Sequence, residues 1–273
     1  MAIRFEPTTC APAPTPAPTR AQTRAQTRAQ TPADTRALPR CDVEYLGVVP
    51  YGRALELQAS LVEQRAANHI GDRLLLLEHP HVITLGRDSR PEHVLADRRR
   101  LAAHDVEIHA CGRGGDVTYH GPGQLVAYPI IDLRPDRCDL HRYVRDLETV
   151  LLRVLDSYGV AGHRNLGRTG VWVRSGEPQE SGTRSTDGAA AEAKVAAIGV
   201  RVSRWITSHG IALNVHTDLR YFDWIVPCGL AGTAVTSLAH LIPTTPSVDE
   251  VAVRFAAHFG TVFDRRMHAS GTA

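Results

Sequence analysis

Lys194-Val-Ala-Ala-Ile-Gly-Val-Arg-Val-Ser203, a short Arg204-Trp205 break, and Ile206-Thr-Ser-His-Gly-Ile-Ala-Leu-Asn-Val215 form the stretch that decides the fold. It is β-branched and apolar and reads as three consecutive strand-like runs, Val195–Ser203, Ile206–His209 and Gly210–Val215, with no space for a helix between them. Outward from it, Val43–Val49, Leu74–Glu78, Val82–Leu85, Val106–Cys111, Gln124–Leu133 and Gly170–Arg174 also read as strands. The second and third of these, joined by His79-Pro80-His81, resemble a hairpin pair. Helical periodicity marks 51–70, Ala96–His104, Leu140–Tyr158 and 247–263. Strands outnumber helices and arrive in adjacent runs rather than strict alternation. The expected class is therefore α+β (mixed α/β) with a partly antiparallel sheet, not a doubly wound dinucleotide-binding domain.

The chain has 273 residues, of which 1–40 carry almost nothing to bury. Ala-Pro repeats give way to Thr-Arg-Ala-Gln repeats, so ordering entropy has no offset and a disordered tail is expected. That tail holds a net charge of +4 while the whole chain is +2, leaving residues 41–273 at −2. A slightly acidic body argues against nucleic acid as a partner. No apolar run approaches bilayer length, so no membrane association is expected. Five widely spaced cysteines without a Cys-x-x-Cys pair fit neither a zinc site nor a disulfide framework, and point to a reducing, cytoplasmic setting.

Three constellations carry chemistry. The first is Arg113-Gly-Gly-Asp-Val-Thr-Tyr-His-Gly-Pro-Gly-Gln124, where glycines allow close backbone approach to a ligand beside a dense set of polar side chains. It lacks the Gly-Lys-Ser/Thr ending of a phosphate loop. The second is Pro227-Cys228-Gly229, a cysteine on a turn, where a nearby cation would raise the thiolate fraction. Cys10 and Cys138 read as inert, and Cys111 as packing. The third is Lys194, the sole lysine among thirty arginines. Arginine stays protonated, whereas a desolvated lysine can exchange its proton, so this composition keeps a lysine where arginine cannot serve. Pairing of Lys194–Ser203 with Gly210–Val215 would bring Lys194 and Gly210–Ala212 to one pocket. His209 reads as a satisfied strand histidine ahead of a base, and Arg98-Arg99-Arg100 as a solvated face.

Together, Arg-Gly-Gly-x-x-Thr-Tyr-His-Gly-Pro-Gly-Gln at 113–124, Lys-Val-Ala-Ala-Ile-Gly at 194–199, His-Gly-Ile-Ala-Leu-Asn at 209–214 and Pro-Cys-Gly at 227–229 resemble the lipoyl(octanoyl) transferase family. That family shares the biotin/lipoate protein ligase-like fold, and the resemblance covers roughly residues 43–264. It implies a catalytic domain at 41–265, followed by a C-terminal tail at 266–273; the tail at 1–40 and the Ser-, Gly-, Glu- and Ala-rich stretch 175–193, which reads as a flexible surface insertion, lie outside it. It implies Cys228 as the acyl-accepting nucleophile and Lys194 as the group that lowers its pKa. It also implies a substrate pocket of Arg113, Gly114, Gly115, Asp116, Val117, Thr118, Tyr119, His120, Ala197, Ile198, Gly199, Gly210, Ile211 and Ala212. Backbone N–H groups of the glycine-rich segments are candidate oxyanion donors.

The implied reaction passes octanoyl from octanoyl-acyl carrier protein through a Cys228 thioester to a lysine of a lipoyl domain. The acceptors would be the E2 subunits of 2-oxoacid dehydrogenases and the glycine cleavage H protein. No ATP, metal or other cofactor is expected, because thioester exchange is nearly balanced and amide formation is downhill. The rival readings are an ATP-dependent lipoate or biotin ligase, which needs no cysteine at 228, a Cys-dependent thioesterase with His120 or His209 as base, and a non-catalytic acyl-binding module.

Overall fold

The structure, a computed structural model, describes residues 38–135, 137–174, 192–226 and 234–269. In chain order these form β1 (Arg40–Val48), α1 (Tyr51–Ala66), β2 (Asp72–Glu78), β3 (Val82–Leu85), α2 (Arg98–Ala103) and β4 (Glu107–Ala110). There follow β5 (Val117–His120), β6 (Gln124–Ile130), α3 (Leu140–Asp156), β7 (Gly162–Asn165), β8 (Arg168–Arg174) and β9 (Glu192–Ser203). The last elements are β10 (Ile206–Asn214), β11 (Ala234–Val235), α4 (Leu238–Leu241), α5 (Val248–Phe263) and β12 (Arg266–Ala269).

The main sheet runs β12-β1-β2-β6-β10-β9-β8-β7, with β11 added to β9, and a second small sheet runs β4-β3-β5. Pairing is parallel at β12–β1, β1–β2 and β11–β9 and antiparallel elsewhere in the main sheet. This is the mixed, largely antiparallel sheet that adjacent strand runs predict. Four details differ from expectation. β2 and β3 do not form a hairpin: both edges of β2 are occupied by β1 and β6, so the chain crosses at His79-Pro80-His81 into the small sheet. Ile206–Asn214 is one strand instead of two, bent at His209, which takes a left-handed φ of 54°. Arg266–Ala269, expected as a tail, pairs with β1, and Glu192–Ala193, expected in the insertion, already belongs to β9.

Two helices cover one face of the main sheet. α3 lays Tyr143, Leu147, Val150, Leu151, Val154 and Leu155 on it, an apolar stripe at helical spacing, and its first turn is capped by the Asp139 carboxylate accepting from Arg142 N–H at 3.1 Å. α5 buries Phe255, Phe259 and Phe263 beside it and starts with a capping box in which Glu250 N–H donates to Ser247 Oγ at 3.2 Å. These side chains share one apolar cluster with Leu125, Ala127, Ala196, Ile211 and Leu213 of the sheet. The opposite face packs Ala54 and Leu61 of α1 against Val126, Tyr128 and Ala212. Among the described residues, no helix is long and apolar enough to cross a membrane.

Candidate active site

A cavity of about 670 Å³ opens beside β9 and β10, lined by residues of β5, by Tyr51 of α1 and by Leu140 and Val144 of α3. Its volume follows from side-chain size. Ala197 sits opposite Ala212 and Gly199 opposite Gly210, so the facing positions of two neighbouring strands contribute little or nothing beyond the backbone. Bulk is excluded at two of them: a Cβ on Gly210 would lie 2.0 Å from the Ala127 carbonyl oxygen, and one on Gly199 would lie 3.0 Å from Arg113 Cδ. Of the pocket residues expected from sequence, the cavity is lined by Arg113 through Thr118, His120, Ala197 through Gly199 and Gly210 through Ala212. Tyr119 is the exception. β5 turns it the other way, into an aromatic group where its ring stacks 4.9 Å from Tyr221 and its hydroxyl meets His81 Nδ1 at 2.7 Å.

Lys194 also lines this cavity, and the sheet register explains why. Val171 pairs with Ala196, yet Trp172 pairs with Lys194, so β9 holds one extra residue, Val195, between them. Val195 and Ala196 both enter the apolar cluster beneath α3. Strict alternation from Ala196 would send Lys194 into that cluster as well. The bulge instead turns it to the opposite face, beside Trp172. There its Nζ lies 5.4 Å from the Trp172 ring centroid, and the residue is only 8% exposed. At the same place β11 pairs with β9, Val235 opposite Lys194, and Thr236 N–H donates to the Lys194 carbonyl at 3.0 Å. Cys228 lies outside the described residues; the chain leaves them at Val226, whose N–H donates to the His93 carbonyl, and re-enters at Ala234.

The inner wall is a buried polar chain. The Gln124 amide nitrogen donates to Asn214 Oδ1 at 2.9 Å and to the Tyr119 carbonyl, which leaves its oxygen to accept from His120 Nδ1 at 2.7 Å. Asn214 Nδ2 in turn donates to the Thr236 carbonyl at 3.0 Å, so the cavity wall is tied to the strand beside Lys194. His79 donates from Nδ1 to the Val49 carbonyl and accepts from the Tyr128 hydroxyl at 2.8 Å. These bonds assign both histidines the Nδ1–H tautomer.

Burial pushes His120 down to about 3, and His79 and His209 down to about 4; the neighbouring Arg113 cation adds to the effect at His120 and His209. All three are neutral imidazoles at pH 7. Arg113 is buried and donates to the Thr84 carbonyl and hydroxyl at 2.7 and 2.9 Å.

The glycine-rich segment does not offer the row of oxyanion donors expected of it. The Gly114 N–H donates to the Val200 carbonyl at 2.9 Å, Gly115 N–H to Asp88 Oδ2 at 3.1 Å, and Val117 N–H to Asp116 Oδ1 at 2.7 Å. These donors shape the loop instead. Sequence reading missed Tyr51, Tyr128 and Trp172, which all line the cavity. Aromatic residues in a strand or first helical turn carry no mark that separates wall from core, although a glycine two residues before Trp172 was a usable hint. Among the described residues, no three His, Cys, Asp or Glu side chains converge as a metal site requires.

Comparison with known proteins agrees with this geometry. Residues 50–260 match the family described as the lipoyl protein ligase A/B catalytic domain. An octanoyltransferase of Chloroflexus aurantiacus is 49% identical over 222 residues, covering 81% of this chain and 93% of that protein. One of Solibacter usitatus is 48% identical over 227 residues, covering 83% and 94%. The bi-partite lipoate protein ligase of Thermoplasma acidophilum superimposes with a TM-score of 0.61 at 14% identity over 86% of this chain and 88% of its own, a likeness of fold. A lipoate-protein ligase A bound with ATP gives 0.59 at 16% identity, over 86% and 90%. With the cavity, the isolated lysine and near-full-length relatives in agreement, the chain belongs to the lipoyl protein ligase A/B catalytic-domain family and, within it, to the octanoyltransferases.

Proposed function

We propose that the enzyme takes octanoyl from a carrier-protein thioester onto Cys228 and passes it to a lysine of a lipoyl domain, with Lys194 handling the proton in both steps. The observation that carries this reading is the Val195 bulge. It brings the sole lysine of the chain into an apolar trough, beside the strand that follows the Cys228 segment. The Lys194 ammonium favours the Cys228 thiolate, which attacks the thioester carbonyl; the carrier sulfur leaves and takes the Lys194 proton. The acceptor lysine, with an ordinary pKa near ~10.4, arrives protonated and must lose a proton to attack. Neutral Lys194 accepts it, the amine attacks, its second N–H proton passes to solvent as the amide forms, and the Cys228 sulfur departs as thiolate.

Ala197, Gly199, Gly210 and Ala212 provide the bed for the acyl chain, and Arg113 through His120, less Tyr119, form its roof. Residues 40–269 act as the catalytic domain, with the preceding residues as an N-terminal tail and 175–191 as an insertion outside the chemistry. The acceptors are lipoyl domains of 2-oxoacid dehydrogenases and the glycine cleavage system. The unpaired thiols of Cys41, Cys111 and Cys138 support a reducing, cytoplasmic setting.

The test is intact-mass analysis after mixing enzyme with octanoyl-acyl carrier protein in the absence of ATP. An octanoyl adduct on Cys228 that a lipoyl domain then discharges is the expected result. Cys228→Ala gives neither adduct nor product, and Lys194→Arg slows transfer by on the order of a hundredfold or more without unfolding the protein. A strict ATP requirement, or a fully active Lys194→Arg enzyme, overturns the mechanism.

A further inference from the structure

The bulge sets which face Lys194 points to, but four rotatable bonds still separate its backbone from its amine. β8 holds two features that restrict them. Gly170 has no side chain where the lysine stem passes: a Cβ there would lie 2.6 Å from Lys194 Cε and 3.4 Å from Nζ. Trp172, 2% exposed, presents its ring beneath the amine at 5.4 Å. Arg168 places its guanidinium 5.6 Å from the same ring centroid. The three residues alternate along one face of β8, away from Val171 and Val173, which belong to the apolar cluster under α3.

From this arrangement we propose that Trp172 is a positioning residue for Lys194: its ring is the floor, and the missing side chain at Gly170 the side slot, of a cradle that holds the amine at the reacting end of the cavity. The inference rests on the role of Lys194 proposed above. The electron-rich ring face attracts an ammonium and supports it without withdrawing a lone pair or a proton. A carboxylate in the same place would hold the amine more tightly and block its release of a proton. The second cation on the ring, Arg168, repels the ammonium and so closes the direction toward the β7–β8 hairpin. Gly170 is itself anchored, its N–H donating to Glu148 Oε1 at 3.3 Å, while Glu148 Oε2 accepts from Arg145 and Arg164 at 3.0 Å each. Trp172 Nε1 has no hydrogen-bond partner among the described residues. The ring face, rather than its N–H, is therefore what the position requires, and a phenyl ring can substitute where an aliphatic side chain cannot.

Composition makes this directly observable. Because the chain contains one lysine, protein grown on lysine carrying ¹³C at Cε shows a single side-chain methylene signal with no background. In the wild-type protein its protons are expected upfield of free lysine, shifted by the Trp172 ring current. The shift vanishes in Trp172→Leu and persists in Trp172→Phe.

In transfer assays Trp172→Leu is expected to lower kcat by about ten- to a hundredfold, the effect of misplacing a catalytic group by about an ångström, with the donor KM within about threefold. Trp172→Phe restores most of the loss. A wild-type signal at the free-lysine position overturns the cradle without any variant, even if Trp172→Leu fails to fold. So does a Trp172→Leu enzyme that transfers at the wild-type rate. An upfield signal in a protein that never acquires octanoyl on Cys228 would sink the proposed chemistry and leave the cradle standing.

Discussion

On β9 and β10, Ala196, Ile198, Ile211 and Leu213 meet aromatic and aliphatic side chains in one apolar cluster toward α3 and α5, the first three also reaching the edge of the cavity. On the other face Ala197, Gly199, Gly210 and Ala212 meet a cavity. Both faces share the same backbone hydrogen bonds, and the register pairs Ile198 with Ile211 as faithfully as Ala197 with Ala212. Only side-chain volume differs. The comparison shows that the room in the cavity comes from the small residues of one face. Stability and vacancy can therefore be altered separately on a single strand.

The largest effect is expected from inserting one alanine between Lys194 and Val195. With the Val195–Ala196 bulge kept, the inserted residue takes the place opposite Trp172 and Lys194 turns into the cluster under α3, where a charge buried among apolar side chains costs several kcal/mol. Octanoyl transfer should vanish and the thermal midpoint should fall steeply. An active, stable insertion variant would break the account of how the faces are assigned.

Next comes an exchange between faces. Leu213→Ala, in the packed cluster, should cost about 2–5 kcal/mol in urea unfolding, since a dry core collapses only partly around a void. Ala197→Leu, in the cavity, should leave unfolding nearly unchanged while lowering kcat/KM for the octanoyl donor by about ten- to two-hundredfold. If both variants lose stability alike, the faces are not distinct.

Acidity sharpens the comparison further. His120 and His209 line the cavity and His79 packs behind it against Tyr128, and each has a folded pKa below the ordinary 6.5, at about 3, 4 and 4. Above pH 6.5 both folded and unfolded states are neutral at these positions, and nothing is lost. As pH falls from 6.5 toward 4, the unfolded chain binds protons that the folded chain refuses. Stability then declines by up to about 1.4 kcal/mol per pH unit for each histidine. Urea midpoints measured at pH 7, 5.5 and 4.5 should show the decline, and a flat series contradicts the buried, neutral assignment. The smallest effect is expected at Ser247→Ala on α5, about 0.5–2 kcal/mol from the lost cap, with transfer unaffected.

Much of this was legible in one dimension. The α3 stripe and the β-branched runs announce their elements, and the motifs at 194–199 and 209–214 bring Lys194 and Gly210–Ala212 to one cavity because β9 and β10 are sequence neighbours. The His79-Pro80-His81 crossing was not legible, because whether two strands pair depends on which edges other strands already occupy. Tyr119 was misjudged for a related reason: inside a twelve-residue motif, alternation decides face, and only placing β5 fixes its phase. The spent N–H groups of Gly114 and Gly115 belong to the same class, since their acceptors, Val200 and Asp88, are distant in the chain or belong to another loop.

The inserted residue at Val195 has a wider consequence. Which side of the sheet carries the amine is a matter of count: four residues separate Lys194 from Gly199, and the bulge absorbs one of them, so both face the cavity. Point substitutions cannot change a count, so gradual divergence can rewrite nearly every side chain of this strand without moving the lysine across the sheet. Loss of the extra codon would straighten the strand and leave the lysine where it is, whereas gain of one more would carry it across in one step.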